Sequence, residues 1–228
     1  MISNNPIWDA LTSDHAAIAE GDGLALRYPA DVLPFCAVAT PDEASMLALR
    51  ELVTPGEPSY FCTDGAPPAT VPGLSLSKSI GVPQMVWPLD RERTAPAESE
   101  PRIEALTAEN ADEMVALTDV AFPGLFRRRT YTLGNYFGIR VNGELVAMTG
   151  ERFSLKGYRE LSAVCTHPAH TGKGYAARLI HHVMADQAAR GLNSFLHVAA
   201  NNDRAIALYE RLGFVRVTEI YMYKAMRG

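Results

Sequence analysis

The sequence is poor in several features that would narrow its function at once. It has only three cysteines, Cys36, Cys62 and Cys165. They are odd in number and far apart, so they form neither a disulfide framework nor a metal-ligand spacing, and they suit a reducing cytoplasm. Its six histidines make neither H-x-x-x-H nor H-E-x-x-H, and His181-His182 would not share one helix face. No metal is expected. No run of eighteen apolar residues occurs, so no membrane-spanning helix is expected. The opening MISNNPIWDALTSDH lacks a basic segment followed by an apolar one, so no secretion signal is expected. Positive charge is not in excess: 21 Lys and Arg stand against 26 Asp and Glu, a net of −5. That argues against a general nucleic-acid binder. The one dense basic run, Arg127-Arg128-Arg129, reads as a solvated face.

What remains is an ordinary globular balance. The chain has 228 residues, 47% hydrophobic and 21% charged, enough for one large domain or two small ones. At Pro88–Arg102, PLDRERTAPAESEPR, charge and proline replace apolar residues. A boundary is expected there, between a unit at residues 1–95 and a second at residues 101–228. The first part reads as a helix (Pro6–Ile18), paired strands in GLALRYP and LPFCAVA, a helix at Asp42–Leu52 and a strand in SYFCT. GAPPATVPGLSLSKSIGVP is rich in turn residues and is expected to be irregular, with QMVW as a closing strand. The second part reads in the order β-α-β-β-β-α-β-α-β. Its elements are RIEAL, the helix ADEMVALTDVAF, a hairpin about Asn142-Gly143, YRELSAVCT, the helix Tyr175–Arg190, SFLHVAA, the helix NDRAIALYERLG and FVRVTEIYMYKAM. An α/β (α+β) fold is expected.

The chemistry concentrates in HPAHTGKGYAARLI, His167–Ile180. Two glycines flank Lys173 just before a helix whose Ala176, Leu179, Ile180, Val183 and Met184 form one apolar stripe. The P-loop pattern G-x-x-x-x-G-K-[ST] fails, because His167 replaces its first glycine and Gly174 its hydroxyl residue. The dinucleotide pattern G-x-G-x-x-[GA] is met in letters by Gly172–Ala177. It does not follow a strand directly, however, and no carboxylate ends the next strand. The remaining reading is an anion site, formed by the free N–H groups and dipole at a helix N-terminus, with glycines that admit close approach. On these residues alone, a strand-to-helix turn that binds nothing stays open.

Together, AVCTHPAHTGKGYAARLI and FLHVAANNDRAIALYERLGF resemble the two cofactor motifs of the GCN5-related N-acetyltransferases (GNATs), in the FR47-like branch that also includes glycine N-acyltransferases. The resemblance covers about Arg102 to Gly228. It implies a mixed, mostly antiparallel sheet flanked by helices, splayed after a central strand, with acetyl-CoA held in the opening as acyl donor substrate. In the first motif, [QR]-x-x-G-x-[GA], Gly174 and Ala176 match, and Thr171 stands where Gln or Arg is usual. The implied pyrophosphate site is Thr171, Gly172, Lys173, Gly174, Tyr175 and Ala176. The second motif, N-x-x-A-x-x-L-Y-E-x-x-G-F, is matched without gaps by Asn202, Ala205, Leu208, Tyr209, Glu210, Gly213 and Phe214. The resemblance sets Asn202 against the pantetheine arm. It sets Tyr209 beside the coenzyme sulfur, where an O–H eases departure of a thiolate.

Leu161–Thr166 would be the splayed strand, with the backbone of Val164, Cys165 and Thr166 available to the pantetheine amides and the thioester carbonyl. Cys165 itself reads as a small strand hydrophobe. For the base that must deprotonate the amine, Glu160 and Glu151 are the candidates, and each also reads as a strand-end surface carboxylate. The N-terminal half carries neither motif and faintly echoes the same fold, as a degenerate acetyltransferase-like unit shaping the substrate cleft. The expected acceptor is a small-molecule amine, amino acids among them. A longer acyl donor and a non-catalytic acyl-CoA sensor remain as alternatives. The last strand can pair within the chain or across a homodimer.

Overall fold

The computed structural model describes residues 2–63, 65–91 and 100–228. From the N-terminus, α1 (Pro6–Leu11) and a 3₁₀ turn (Ala16–Ile18) lead into an antiparallel sheet of β1 (Glu20–Asp22), β2 (Ala25–Arg27) and β3 (Cys36–Val38). The single helix expected over Pro6–Ile18 is broken because Thr12 and Ser13 turn their hydroxyls back onto the carbonyls of Trp8 and Asp9, at 2.8 and 2.5 Å. Such bonds offer the backbone an alternative to helix. Helix α2 (Glu43–Leu52) follows, capped by the Asp42 carboxylate, which accepts the Ser45 N–H at 2.8 Å; a cap of this kind contributes about 1 kcal/mol.

Next come β4 (Pro58–Cys62) and β5 (Leu74–Val86). The latter overturns the expectation of an irregular segment. Serines alternate with Leu74 and Leu76, which is strand period, and the pairing runs with β11 (Val215–Arg227) from Leu74↔Arg227 to Val86↔Val215. Gly81 and Pro83 do not break it. Their carbonyls accept the N–H groups of Ala200 and Val198, at 2.9 and 3.1 Å, bonds for which proline's missing N–H is irrelevant.

The remaining elements appear in the expected order: β6 (Ile103–Leu106), α3 (Ala111–Ala121), β7 (Tyr136–Val141), β8 (Glu144–Leu155), β9 (Tyr158–Thr166), α4 (Tyr175–Ala189), β10 (Asn193–His197), α5 (Asp203–Leu212) and β11. Asn142 and Gly143 turn the β7–β8 hairpin with φ of 53° and 86°. Eight strands form one sheet in the order β4-β11-β5-β10-β9-β8-β7-β6. Among the described strands of this sheet, only β9 and β10 pair in parallel. The expected division at residues 95–101 therefore does not divide the sheet, since β4 and β5 lie among strands of the second part. Of the expected linker Pro88–Arg102, residues 92–99 lie outside the described residues. Both edges of β11 are paired within the chain, to β4 and β5.

Packing joins the halves as well. Ile7, Leu11, Tyr28 and Phe35 share one apolar cluster with Phe153, Phe195 and Ile220. On the other face, α4 lays Ile180, Val183 and Met184 against Leu161 and Leu196, and α5 adds Ile206 and Tyr209.

The site follows from where pairing stops. The parallel ladder between β9 and β10 ends at Glu160↔Phe195. Past that point β10 stays with β5 (Leu196↔Met85, His197↔Gln84), while β9 stays with β8 (Cys165↔Met148, Thr166↔Ala147). The two strands diverge into a wedge, and the edge of β9 from Leu161 to Thr166 faces it. A register irregularity between Ser162 and Cys165 sharpens the turn-out, with Ala163 at a φ of 52°. It is a bulge, a device that bends a strand and re-aims its groups.

Candidate active site

The wedge opens into two joined chambers. The first, ≈440 Å³, is lined by Val164, Cys165 and Thr166 of β9, by Thr171, Gly172, Lys173, Gly174, Tyr175 and Ala176 at the start of α4, and by Asn202 and Tyr209. The structure thus brings every residue expected at the cofactor, with Tyr209, to one cavity. Gly174 caps α4 with a φ of 77°, and Gly172 has 78°. A Cβ at either would meet nothing within 4 Å, so backbone conformation, not crowding, calls for glycine there. The first-turn N–H groups of α4 have no intrahelical partner and face this open ground.

The charged side chains on the cavity wall are Lys173, Arg204 and Arg211, with His170 beside them and no carboxylate among the lining residues. In a chain of net charge −5, that is a local inversion suited to a polyanion. A phosphate-bearing acyl-CoA fits these residues: helix N-terminus and cations at one end, a bare strand edge along the wall, Tyr209 at the far end.

Thr171 and Asn202 also hold the local backbone in place, and Cys165 is the strand hydrophobe expected. Thr171 donates its hydroxyl to the Pro168 carbonyl at 3.1 Å, stabilising the loop turn. Asn202 caps α5, its Oδ1 accepting the Ala205 N–H at 3.1 Å, while still lining the cavity. Cys165 is buried, and burial pushes its thiol up to about 12; the thiolate a nucleophile needs is not available near neutrality. Burial also raises the Tyr209 phenol, and the Glu160 charge adds to it. Tyr209 therefore keeps its proton.

The second chamber, ≈240 Å³, shares Phe122, Val164, Asn202, Ala205 and Tyr209 with the first. Its further walls are apolar (Leu33, Leu125, Phe126, Leu161, Val198), with Thr130, Tyr136, Arg152, Ser162 and His197 as polar groups. Leu33 comes from the N-terminal half.

Neither carboxylate expected as the base lines either chamber, and both expectations are corrected. Glu160 is 0% exposed. Arg152 donates to it from Nε and Nη2, both at 2.7 Å, the Phe153 N–H at 3.3 Å and His197 Nδ1 at 2.7 Å. Burial alone would raise this carboxyl, but the Arg152 charge and the hydrogen bonds from Arg152 and His197 outweigh it and hold the group at about 2. A carboxylate so saturated with donors does not take a proton from an amine. Glu151, 1% exposed, accepts from the Asn135 N–H and Gln187 Nε2, each at 3.0 Å, and is ion-paired with Arg190. It clamps β8 to α4.

The residues that sequence reasoning missed are Arg152 and His197. Arg152 directly precedes Phe153 in β8 and His197 directly follows Phe195-Leu196 in β10, and a charged or titratable residue beside core residues was the available signal. Because Glu160 is ionised, His197 carries its hydrogen on Nδ1, and its Nε2 accepts from Gln84 Nε2 at 3.1 Å. The oxygen of that amide, Gln84 Oε1, is buried without a partner. Among the described residues, no group of three or more His, Cys, Asp or Glu is placed to hold a metal ion.

Comparison with known proteins agrees with this geometry. The family model described as FR47-like protein matches residues 136–223. The N-alpha-acetyltransferase RimI of Mycobacterium tuberculosis (strain ATCC 25618 / H37Rv) is 33% identical over 135 residues, which cover 53% of this chain and 83% of that protein. A solved GNAT-family structure from Novosphingobium aromaticivorans DSM 12444 superposes with a TM-score of 0.86 at 31% identity, over 99% of this chain and 98% of the other. A GCN5-related N-acetyltransferase from Kribbella flavida shares the fold at 17% identity, with a TM-score of 0.63 over 97% and 95% of the two chains.

Proposed function

Because the chain belongs to the GNAT family, in its FR47-like branch, we propose that it is an acetyl-CoA-dependent N-acetyltransferase acting on the amine of a small molecule, amino acids included. The observation that carries this reading is the meeting of a cation-lined chamber and a largely apolar one at a single protonated tyrosine, Tyr209. Acetyl-CoA supplies the acetyl group as an activated thioester.

The chain's own residues supply the rest. Backbone N–H groups from Gly172 to Ala176 bind phosphate, and the exposed edge of β9 at Val164–Thr166 offers hydrogen bonds to the amides of the arm. Tyr209 gives its proton to the departing sulfur, a step worth about 10²–10⁴-fold for a well-placed acid. On the acceptor side, the proton of the amine leaves through water along the polar wall of Thr130, Ser162 and His197, since both ring nitrogens of His197 are engaged, by Glu160 and by Gln84.

In this reading the chain before the linker completes the sheet through β4 and β5 and lends Leu33 to the acceptor chamber. Cys36, Cys62 and Cys165, none of them in a disulfide among the described residues, suit a reducing cytoplasm.

Calorimetric titration with acetyl-CoA, using NADH and desulfo-CoA as controls, tests the site. Tyr209→Phe should then keep the acetyl-CoA affinity and lose about 10²-fold or more in turnover. No binding at millimolar acetyl-CoA would end the reading. Tight binding with no turnover on any amine would favour the acyl-CoA sensor, and turnover with longer acyl-CoAs but not with acetyl-CoA would redefine the donor.

A further inference from the structure

The second chamber has an unusual charge inventory for a place that receives amines. Its charged or titratable lining groups, tyrosines aside, are Arg152 and His197, and neither Asp nor Glu lines it. The carboxylate behind them, Glu160, is already matched to Arg152 through two hydrogen bonds of 2.7 Å. Those bonds use Nε and Nη2 of the guanidinium; among the described residues, Nη1 has no acceptor. The rings of Phe153 and Phe35 lie 4.6 and 5.1 Å from the guanidinium carbon, and the side chain is 15% exposed, so it is held in place.

Counting charges decides what fits. Arg152 and Glu160 sum to zero. A simple alkylammonium would add one uncompensated positive charge beside a guanidinium in a largely apolar cavity, which is strongly unfavourable. A zwitterion adds none. We propose, resting on the acetyltransferase reading above, that the acceptor is a free α-amino acid with an apolar side chain. Its carboxylate lies on the unused edge of Arg152, and its side chain lies against Leu33, Leu125 and Phe126. A guanidinium binds carboxylates in a fixed, multidentate geometry, which orients the amine as well as neutralising the charge. With the carboxylate on Arg152 and the ammonium beside it, the zwitterion brings its own counter-charge into the chamber. Amines with no adjacent anion, such as lysine side chains, polyamines and aminoglycosides, do not satisfy this count. Glycine satisfies it but leaves the apolar wall uncovered.

The test compares matched acceptors on the full chain: L-leucine and L-phenylalanine against leucinamide, phenethylamine, glycine and the dipeptide Leu-Gly. Free-thiol release is followed at saturating acetyl-CoA, and the acetylated product is identified by mass. The amide has the more acidic ammonium, so base fraction alone ranks it above the free acid. Recognition of the carboxylate reverses that order, with kcat/KM for the free acids at least about tenfold above the amide and the amine, a difference of about 1.4 kcal/mol. Leu125→Asp, at a half-buried wall position, supplies the missing carboxylate and should move the preference toward phenethylamine without changing acetyl-CoA affinity. Equal or better turnover of the amide or amine overturns the proposal, as does an unmoved preference in Leu125→Asp. Preference for Leu-Gly overturns it in favour of a peptide N-terminus. Acetyl-CoA titration of the same samples separates the two levels: no binding sinks the acetyltransferase reading, whereas binding with no amino acid acetylated sinks this proposal alone.

Discussion

Gly174 owes its place to a φ of 77°, a conformation that costs an L-residue about 1–2 kcal/mol. Gly174→Ala should lower the melting temperature by only a few degrees, about 2–4 °C per kcal/mol for a chain of this size. It should weaken acetyl-CoA binding by more than that strain accounts for, because the first turn of α4 must be reset. A calorimetric titration reads this directly, and an unchanged Kd would remove the loop from phosphate binding. The cavity residues were legible in advance, Gly172 and Gly174 from the loop that precedes a helix, Asn202 and Tyr209 from the resemblance of the second motif. The surroundings of the two strand carboxylates were not. Glu160 and Glu151 were read by position along a strand. A carboxylate's role is set by which donors surround it, and Arg152, His197, Gln187 and Arg190 come from other turns and strands.

Among the elements, α4 and β8 are tied together by the Glu151 cluster with Gln187 and Arg190. Glu151→Ala leaves the buried Gln187 amide without its acceptor, while the exposed Arg190 keeps its pair with Asp186; an unsatisfied buried polar group costs about 1–3 kcal/mol. The expected result is a clearly lower melting temperature with kcat/KM near wild type below the transition. A folded variant that has lost turnover by two orders of magnitude would instead restore Glu151 as the base. Helices α2, α3, α4 and α5 and the β7–β8 hairpin were readable because caps, apolar stripes and the Asn142-Gly143 turn act over a few residues. β5 was readable only at its end, where QMVW was expected as a strand. Its serines, Gly81 and Pro83 disfavour a strand locally, and only the long ladder to β11 and the carbonyl bonds to Val198 and Ala200 make it one. Ala163, at a φ of 52°, is likewise invisible in sequence, since alanine has no preference for that region.

Across the whole molecule, the junction of the two halves carries the acid-sensitive groups. His15 of the first half bonds Tyr28 at 2.7 Å, and burial, reinforced by the Arg159 charge from the second half, lowers it to about 4 from 6.5. The unfolded chain therefore binds that proton more readily, and stability falls as pH drops from 6.5 toward 4. Glu160 is depressed from 4.5 to about 2, so its contribution is complete above 4.5 and is lost between 4.5 and 2. Melting temperatures measured from pH 7.5 downward should decline from about 6.5, and His15→Asn should flatten the upper part of that decline; a flat curve between 6.5 and 4 would contradict the assignment. The sequence by itself determined the family and the order of elements from Ile103 onward, because the motifs and element signals are written in residues close along the chain. Tertiary structure alone decided that β4 and β5 complete the eight-stranded sheet. It also decided that Leu33 lines the second chamber, and that Arg152, Glu160, His197 and Gln84 form one chain of hydrogen bonds. Those outcomes depend on which strands lie side by side and on what a buried charge finds as a partner, and neither is encoded in local spacing.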